Sequence, residues 1–180
     1  LSLPPNFEPW WRLLEAFRLE YPNVKIDVFA SERKVDLIEE GIDVSLRVGE
    51  VETLSSVARE VFQYRHKVVA SPAFIEQFGQ PKSPNELVDF QCAAWAKKEQ
   101  TVSWWLGDEK VSISPFIRAN DYPHMRYLAL SGICITELPY FLCHQQLKDK
   151  TLVEVLPDFP ASLQKLSLLY PSRKQLSRIS

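Results

Sequence analysis

Two short polar residues stand where a predicted strand gives way to a predicted helix. Asn6 follows the strand candidate Leu1–Leu3 through Pro4 and Pro5, and Asp121 follows the strand candidate Phe116–Arg118 through Asn120. The first turn of a helix has backbone amides without intrahelical partners, and these amides attract anions together with the helix dipole. Both residues can equally be ordinary N-caps, because Asn and Asp are among the side chains that cap helices best.

Arg47 is the polar residue nearest the end of a strand candidate that runs from Ile42 to Val48, and Ser31 lies in the turn after an earlier strand candidate. A planar guanidinium suits a carboxylate, and ligands of open α/β sheets usually bind where the strands end. An arginine at such a position is also commonly a surface charge or an ion-pair partner. The pattern predicts that Arg47, with Ser31 and Val48, binds a small organic anion such as a carboxylate.

No arrangement typical of catalysis or metal binding is present in the sequence. It has no nucleophile elbow, no glycine-rich phosphate loop and no His-x-x-x-His pair. Cys143 and His144 are adjacent, so on a helix they point about 100° apart and rarely share a metal. The other histidines, His66 and His124, supply no evident further ligands. We therefore predict no catalytic residue, no metal and no cofactor.

Three cysteines, Cys92, Cys134 and Cys143, are an odd number at irregular spacing. This argues against a disulfide framework and for a reducing compartment, so we predict a cytoplasmic location. Cys134 is most simply a small buried hydrophobic residue, and the alternative is a redox-sensing thiol.

The formal net charge of -2 is spread along the chain without a basic block. The electrostatic footprint of a nucleic-acid-binding surface is missing, so this chain should not bind DNA by itself. Its most apolar run, Leu128–Cys143, is interrupted by polar residues and is shorter than the roughly 18 apolar residues that a membrane-spanning helix needs. We expect no contact with a membrane.

The first 70 residues predict strands that alternate with helices. After the strand Leu1–Leu3, an amphipathic helix begins at Asn6 or at Pro9, and its apolar face comprises Phe7, Trp10, Trp11, Leu14 and Phe17. A second strand is predicted from the alternation of Val24, Ile26 and Val28 with polar residues. A short helix over residues 35–38 then ends at Gly41 before the strand Ile42–Val48, and residues 56–70 form a further strand.

The rest of the chain repeats this alternation. Ser71 and Pro72 open a helix, residues 85–90 form a short helix, and Asp121 caps a helix with Tyr122, Met125, Leu128 and Ala129 toward the core. A further helix is predicted over 139–147 and a terminal one after Pro171. Strands are predicted at residues 92–96, 102–106, 111–114, 116–118, 133–138, 152–156 and 166–170. The alternation predicts an α/β fold.

Several stretches resemble, in order, the effector-binding domain of LysR-type transcriptional regulators. They are FRLEYPNV (17–24), DLIEEGIDVSLRVGE (36–50), VVASPAF (68–74), PNEL (84–87), Asn120-Asp121, GICITELP (132–139), LVEVL (152–156) and YPSR (170–173). Together they cover nearly the whole chain.

The resemblance implies two Rossmann-like α/β subdomains joined by two hinge crossings, as in type II periplasmic binding proteins. On this plan, regulatory subdomain I is residues 1–70 plus 170–180, subdomain II is 71–169, and a small effector binds in the cleft between them. The effector-binding residues that it implies are Pro5, Asn6, Phe7, Ser31, Arg47, Val48, Asn120 and Asp121. It also implies a homodimer or homotetramer, and DNA binding through an N-terminal helix-turn-helix domain that this chain does not contain.

The chain departs from the family pattern at two turns. Gly132-Ile133-Cys134 replaces the Gly-x-Gly of many members, and Pro4-Pro5-Asn6 replaces their Ser or Thr, which puts the family's hydroxyl contacts in doubt. Two alternatives share the two-lobed plan. One is a solute-binding protein of a transporter, and the other is an enzyme shaped like porphobilinogen deaminase.

Overall fold

The computed structural model describes residues 1–31, 33, 36–51, 56–97 and 101–172. The chain divides into two compact units, one formed by residues 1–63 with the stretch from Gln164 onward, and the other by Tyr64–Leu163. We call them unit 1 and unit 2. Within the described ranges, no helix is long and apolar enough to cross a membrane.

The described residues form eleven strands and four α-helices. The strands are β1 (Ser2–Leu3), β2 (Phe29–Ala30), β3 (Ser45–Val48), β4 (Ser56–Ala70), β5 (Cys92–Trp95), β6 (Val102–Leu106), β7 (Glu109–Ile113), β8 (Ile117–Ala119), β9 (Ile135–Pro139), β10 (Val153–Glu154) and β11 (Leu163–Pro171). The helices are α1 (Pro9–Glu20), α2 (Pro72–Phe78), α3 (Tyr122–Leu130) and α4 (Tyr140–Lys148), and Pro84–Asp89 forms a 3-10 helix. The predicted α/β class is confirmed.

The sheet of unit 1 has the strand order β2-β1-β3-β11-β4. Strand β1 is parallel to both β2 and β3, with Ser2 opposite Phe29 on one side and Ser45 on the other. Strand β11 returns antiparallel to β3. Because β1, β2 and β3 run in the same direction, the residues that follow them share one edge of the sheet.

Of the two starts predicted for the first helix, the one at Pro9 is confirmed. Helix α1 begins at Pro9 with Glu8 as N-cap, and Asn6 is not a cap but has a left-handed φ of 60°. Proline is favoured at the first helical position because its missing amide would have no partner there. The predicted strand through Val24–Val28 is irregular, and β2 is confined to Phe29–Ala30.

The short helix predicted over residues 35–38 is wrong for its described part, residues 36–38, which belongs to a turn. The Asp36 carboxylate accepts hydrogen bonds from the Ile38 and Glu39 amides, which satisfies these amides without a helical turn before them. Gly41 has a φ of 63° at the end of this turn, a conformation that glycine adopts without strain.

Unit 2 contains a sheet of order β4-β9-β5-β8, with β10 paired to β4, and a separate hairpin of β6 and β7. The predicted caps are confirmed, because the Ser71 hydroxyl accepts from the Phe74 amide and the Asp121 carboxylate from the His124 amide. Two clusters of buried residues form its core, one around Phe74 and Leu106 and one around Met125 and Leu138. The helix predicted after Pro171 lies outside the described residues.

Candidate functional site

Arg47 lies at the carboxyl end of β3 and connects the ends of three parallel strands. Its Nη1 donates to the carbonyl oxygens of Leu46 (2.8 Å) and Ser31 (3.4 Å), and its Nη2 donates to Ser2 Oγ (2.9 Å) and to the Arg33 carbonyl (3.2 Å). Ser2 is in β1, and Ser31 directly follows β2. The structure therefore brings Arg47 and Ser31 together, as the sequence predicted.

The four terminal N–H groups of Arg47 each have an acceptor in the protein. A guanidinium has five N–H donors, and the only one that these four bonds do not use is Nε–H. Burial lowers the pKa of Arg47, and the neighbouring Arg33 guanidinium lowers it further, whereas Glu40 raises it. Glu40 also accepts from Arg33 Nη1 at 2.8 Å, so that its charge is shared with Arg33. A carboxylate that binds Arg47 through both terminal nitrogens has to displace one protein acceptor from each.

Pro5, Asn6 and Phe7 follow β1 on the same edge of the sheet. Phe7 is buried, and its ring packs edge-on against Phe62 with centroids 6.1 Å apart. The amides expected to be free at the start of α1 are not available, which corrects the prediction. Pro9 has no amide hydrogen, and the Trp10 and Trp11 amides donate to the carbonyls of Phe7 and Glu8.

Asn120 and Asp121 lie in unit 2, between β8 and α3. The Asp121 carboxylate caps the helix, and His124 Nδ1 lies 2.5 Å from its Oδ2. A carboxylate thus already occupies the amino end of α3, and it would repel an added anion unless a cation compensates for it. The effector-binding roles of all eight residues stay a prediction.

Unit 2 contains an aromatic cluster that was not predicted from the sequence. The His66 ring lies 5.7 Å from that of Tyr64 and 5.5 Å from that of Tyr122, and Tyr122 stacks on Trp95 at 5.9 Å. Glu137 Oε2 lies 3.3 Å from His66 Nδ1 but outside hydrogen-bonding geometry. Burial, with the Glu137 charge, raises the pKa of Tyr64 to about 12. The spacing of Tyr64 and His66 on one face of a strand was the signal available in the sequence.

The cysteines are buried in unit 2. Burial raises the pKa of each thiol to about 12, and Cys134 also receives a backbone hydrogen bond that partly offsets this. Among the described residues, no group of His, Cys, Asp and Glu side chains could hold a metal ion.

We expect none of the three thiols to react with dithionitrobenzoate in the folded chain at about pH 8, because only the thiolate is nucleophilic. The measurement is the absorbance of released thionitrobenzoate. The same chain in guanidinium chloride is the control and should release one equivalent for each cysteine. A thiol of the folded chain that reacts as fast as in the unfolded control would contradict the burial of that residue.

The model of the LysR substrate binding domain matches residues 1–179. The chain belongs to this family. The transcriptional regulator CrgA of Neisseria meningitidis is 31% identical over 149 residues, which are 81% of this chain and 50% of CrgA. The crystal structure of the CrgA regulatory domain, 27% identical, superposes with a TM-score of 0.85 over 97% of this chain and 89% of that one.

Full-length AphB of Vibrio cholerae, a virulence activator, is 26% identical to this LysR domain. It superposes with a TM-score of 0.85 over 97% of this chain and 61% of AphB. These matches confirm the periplasmic-binding-protein-like α/β fold and the prediction of a LysR-type effector-binding domain. They do not support the transporter alternative. The LysR domain spans about half the length of the curated relatives that it matches.

Proposed function

We propose that this LysR domain binds a small organic carboxylate at the carboxyl ends of β1, β2 and β3, with Arg47 as the main contact. The observation that carries this proposal is the half-buried Arg47 guanidinium, which joins Ser2 and Ser31 at the edge where ligands of α/β sheets bind. Pro5, Phe7 and Val48 line the same edge. Asn6 belongs to it through the turn before α1 and not as a cap.

The geometry suggests how the carboxylate is accepted. The two longest bonds of Arg47 are those to the Ser31 and Arg33 carbonyls, at 3.4 and 3.2 Å, and they use one N–H from each terminal nitrogen. Exchanging these two carbonyls for one carboxylate gives a bidentate pair while the shorter bonds to Leu46 and Ser2 remain. The exchange would change the contacts of the segment that follows β2, and such a difference between free and bound states is what a ligand-driven response requires.

We further propose that units 1 and 2 correspond to the two regulatory subdomains, and that Asn120 and Asp121 of unit 2 also contribute to effector binding. On this proposal the domain is not an enzyme and acts in the cytoplasm. It would act on DNA only through an N-terminal helix-turn-helix domain, as the names of its relatives suggest for them.

A thermal-shift screen tests the class of ligand. We expect small organic carboxylates, and not the matched primary alcohols, to raise the melting temperature in a concentration-dependent manner, because binding to the native state alone stabilises it. Equal effects of the carboxylates and the alcohols would contradict a site built on a guanidinium.

We also propose that the domain pairs as a homodimer, with a homotetramer as an alternative for the longer protein. Trp11 and Trp105 are the exposed members of the two tryptophan pairs, at 56% and 50% exposure, and aromatic residues are enriched at interfaces. Sedimentation velocity at increasing concentration should show reversible dimer formation that Trp11→Ser or Trp105→Ser weakens. A monomer at all concentrations up to about 100 μM would contradict pairing by this domain, because the Kd of the dimer would then be higher than that concentration.

A further inference from the structure

A groove of about 710 Å³ runs along α1 in unit 1, and one of its ends lies beside Arg47. Ser2, Ser31 and Arg33 line this end. The same three residues accept hydrogen bonds from the Arg47 guanidinium, through the Ser2 hydroxyl at 2.9 Å and through carbonyl oxygens at 3.4 and 3.2 Å. A carboxylate that takes the place of the two carbonyls at Arg47 therefore lies where the groove begins. The groove continues the carboxylate site, and a ligand bound there can extend into it.

Beyond this polar end the lining of the groove is mostly apolar. It comes from α1 and from the segments before β2 and β3, and includes Trp10, Leu14, Phe17, Ile26, Phe29 and Ile42. No residue of α1 is fully buried, so the apolar side chains of this helix keep surface that a ligand can cover. Each methylene of a ligand that moves from water into such a groove favours binding.

The groove follows the strands from their carboxyl ends toward their amino ends. Asp27, which precedes β2, and Asp43, which precedes β3, line its other end. The four residue steps from Asp43 to Arg47 cover about 13 Å of extended chain. A ligand tail such as the alkyl chain of octanoate is shorter than this distance.

The charged side chains along the groove suit a ligand with a single carboxylate. Arg47 supplies the cation for that group. At the other end the charged side chains are Asp27 and Asp43 against Lys25. A second carboxylate at the end of the tail would lose hydration among apolar side chains and would meet like charges there.

We infer that the effector is a monocarboxylate with an apolar tail, and that its carboxylate binds Arg47 while its tail lies in the groove beside α1. This inference rests on the proposed function and narrows the class of carboxylate. One molecule would then contact the ends of β1 and β2 through its head group and the helix α1 through its tail.

Calorimetric titration with butanoate, octanoate and octanedioate tests the class of ligand. We expect octanoate to bind at least about fifteenfold more tightly than butanoate, because each of its four further methylenes contributes about twofold to fourfold. Octanedioate has the same chain length and should bind at least about tenfold more weakly than octanoate, because its second carboxylate is desolvated without a free cation. Arg47→Lys should weaken butanoate and octanoate by about the same factor, since it changes only the contact of the head group.

Two variants of α1 test the place of the tail. Leu14→Trp puts a larger side chain into the groove and should reduce the advantage of octanoate over butanoate to less than about threefold, with the affinity for butanoate unchanged. Leu19→Trp is the matched control at an exposed position that does not line the groove, and should keep the full advantage. If circular dichroism shows that Leu14→Trp is unfolded, Leu13→Trp takes its place, because Leu13 lines the groove and is itself exposed.

The outcomes separate this inference from the proposed function. Equal affinities for butanoate and octanoate, or an advantage of octanoate that the groove variant and Leu19→Trp both keep, would overturn the inference while carboxylate binding at Arg47 stands. If none of the three carboxylates bound the parent chain, the proposed function itself would fail, and this inference with it.

Discussion

Replacing Phe74 by alanine is expected to lower the free energy of unfolding by about 3–5 kcal/mol. Phe74 is 1% exposed, and its ring packs against those of Phe78 and Phe90 at centroid distances of 4.9 and 6.5 Å. The substitution removes most of a large buried side chain and leaves a cavity in the first core cluster of unit 2. Urea unfolding followed by far-ultraviolet circular dichroism measures the effect.

Phe78→Ala on the same helix is the matched control. Phe78 is 48% exposed, so its loss removes much less surface from the interior and should cost about 1 kcal/mol or less. If the two substitutions destabilised the chain equally, the assignment of Phe74 to the core and Phe78 to the surface would be wrong.

Replacing Arg47 by alanine is expected to lower the free energy of unfolding by about 2–3 kcal/mol. The reason is that Arg47 donates to Ser2 Oγ and to three carbonyls, including those of Ser31 and Arg33. Its loss leaves acceptors from the ends of β1 and β2 without this donor. Chemical denaturation of purified variants measures the difference.

Arg59→Ala is the control for the charge alone, because Arg59 is exposed on β4. It should change stability by less than about 0.5 kcal/mol. An Arg47→Ala variant as stable as Arg59→Ala would show that the bonds of Arg47 contribute nothing net to the fold.

The elements of unit 2 were predictable from sequence because their signals are local. Ser71 before Pro72 and Asp121 before Tyr122 mark helix starts by the chemistry of one side chain, and both caps form. The short strands between them contain apolar residues at a period of two, and β6 has the bounds predicted.

Unit 1 was less predictable because competing local signals had to be resolved by tertiary packing. Asn6 and Pro9 both indicated a helix start, and the helix took Pro9. Val24, Ile26 and Val28 alternate like a strand, yet this segment is irregular, and the strand is confined to Phe29–Ala30. Alternation describes which residues suit a sheet, not whether a partner strand is in reach.

The candidate site was predictable in position but not in bonding. The order of strands and helices placed Ser31 and Arg47 at strand ends, which are neighbours in a parallel sheet. The four bonds of Arg47 could not be predicted, because they depend on which three carbonyls and which hydroxyl turn toward it. Tyr64 and His66 lie on β4, Tyr122 on α3 and Trp95 on β5, so a local pattern joins only the first two of these rings.

Isothermal titration calorimetry of the Arg47→Lys variant tests the central claim most directly. The titrant is the carboxylate that gives the largest thermal shift, and Arg59→Lys is the matched control. Lysine keeps the positive charge but cannot form the bidentate pair, so the Kd should rise about tenfold or more. A tenfold rise corresponds to a loss of about 1.4 kcal/mol in the free energy of binding. The control should bind like the parent chain. An unchanged Kd in a folded Arg47→Lys variant would contradict the proposal that Arg47 holds the effector.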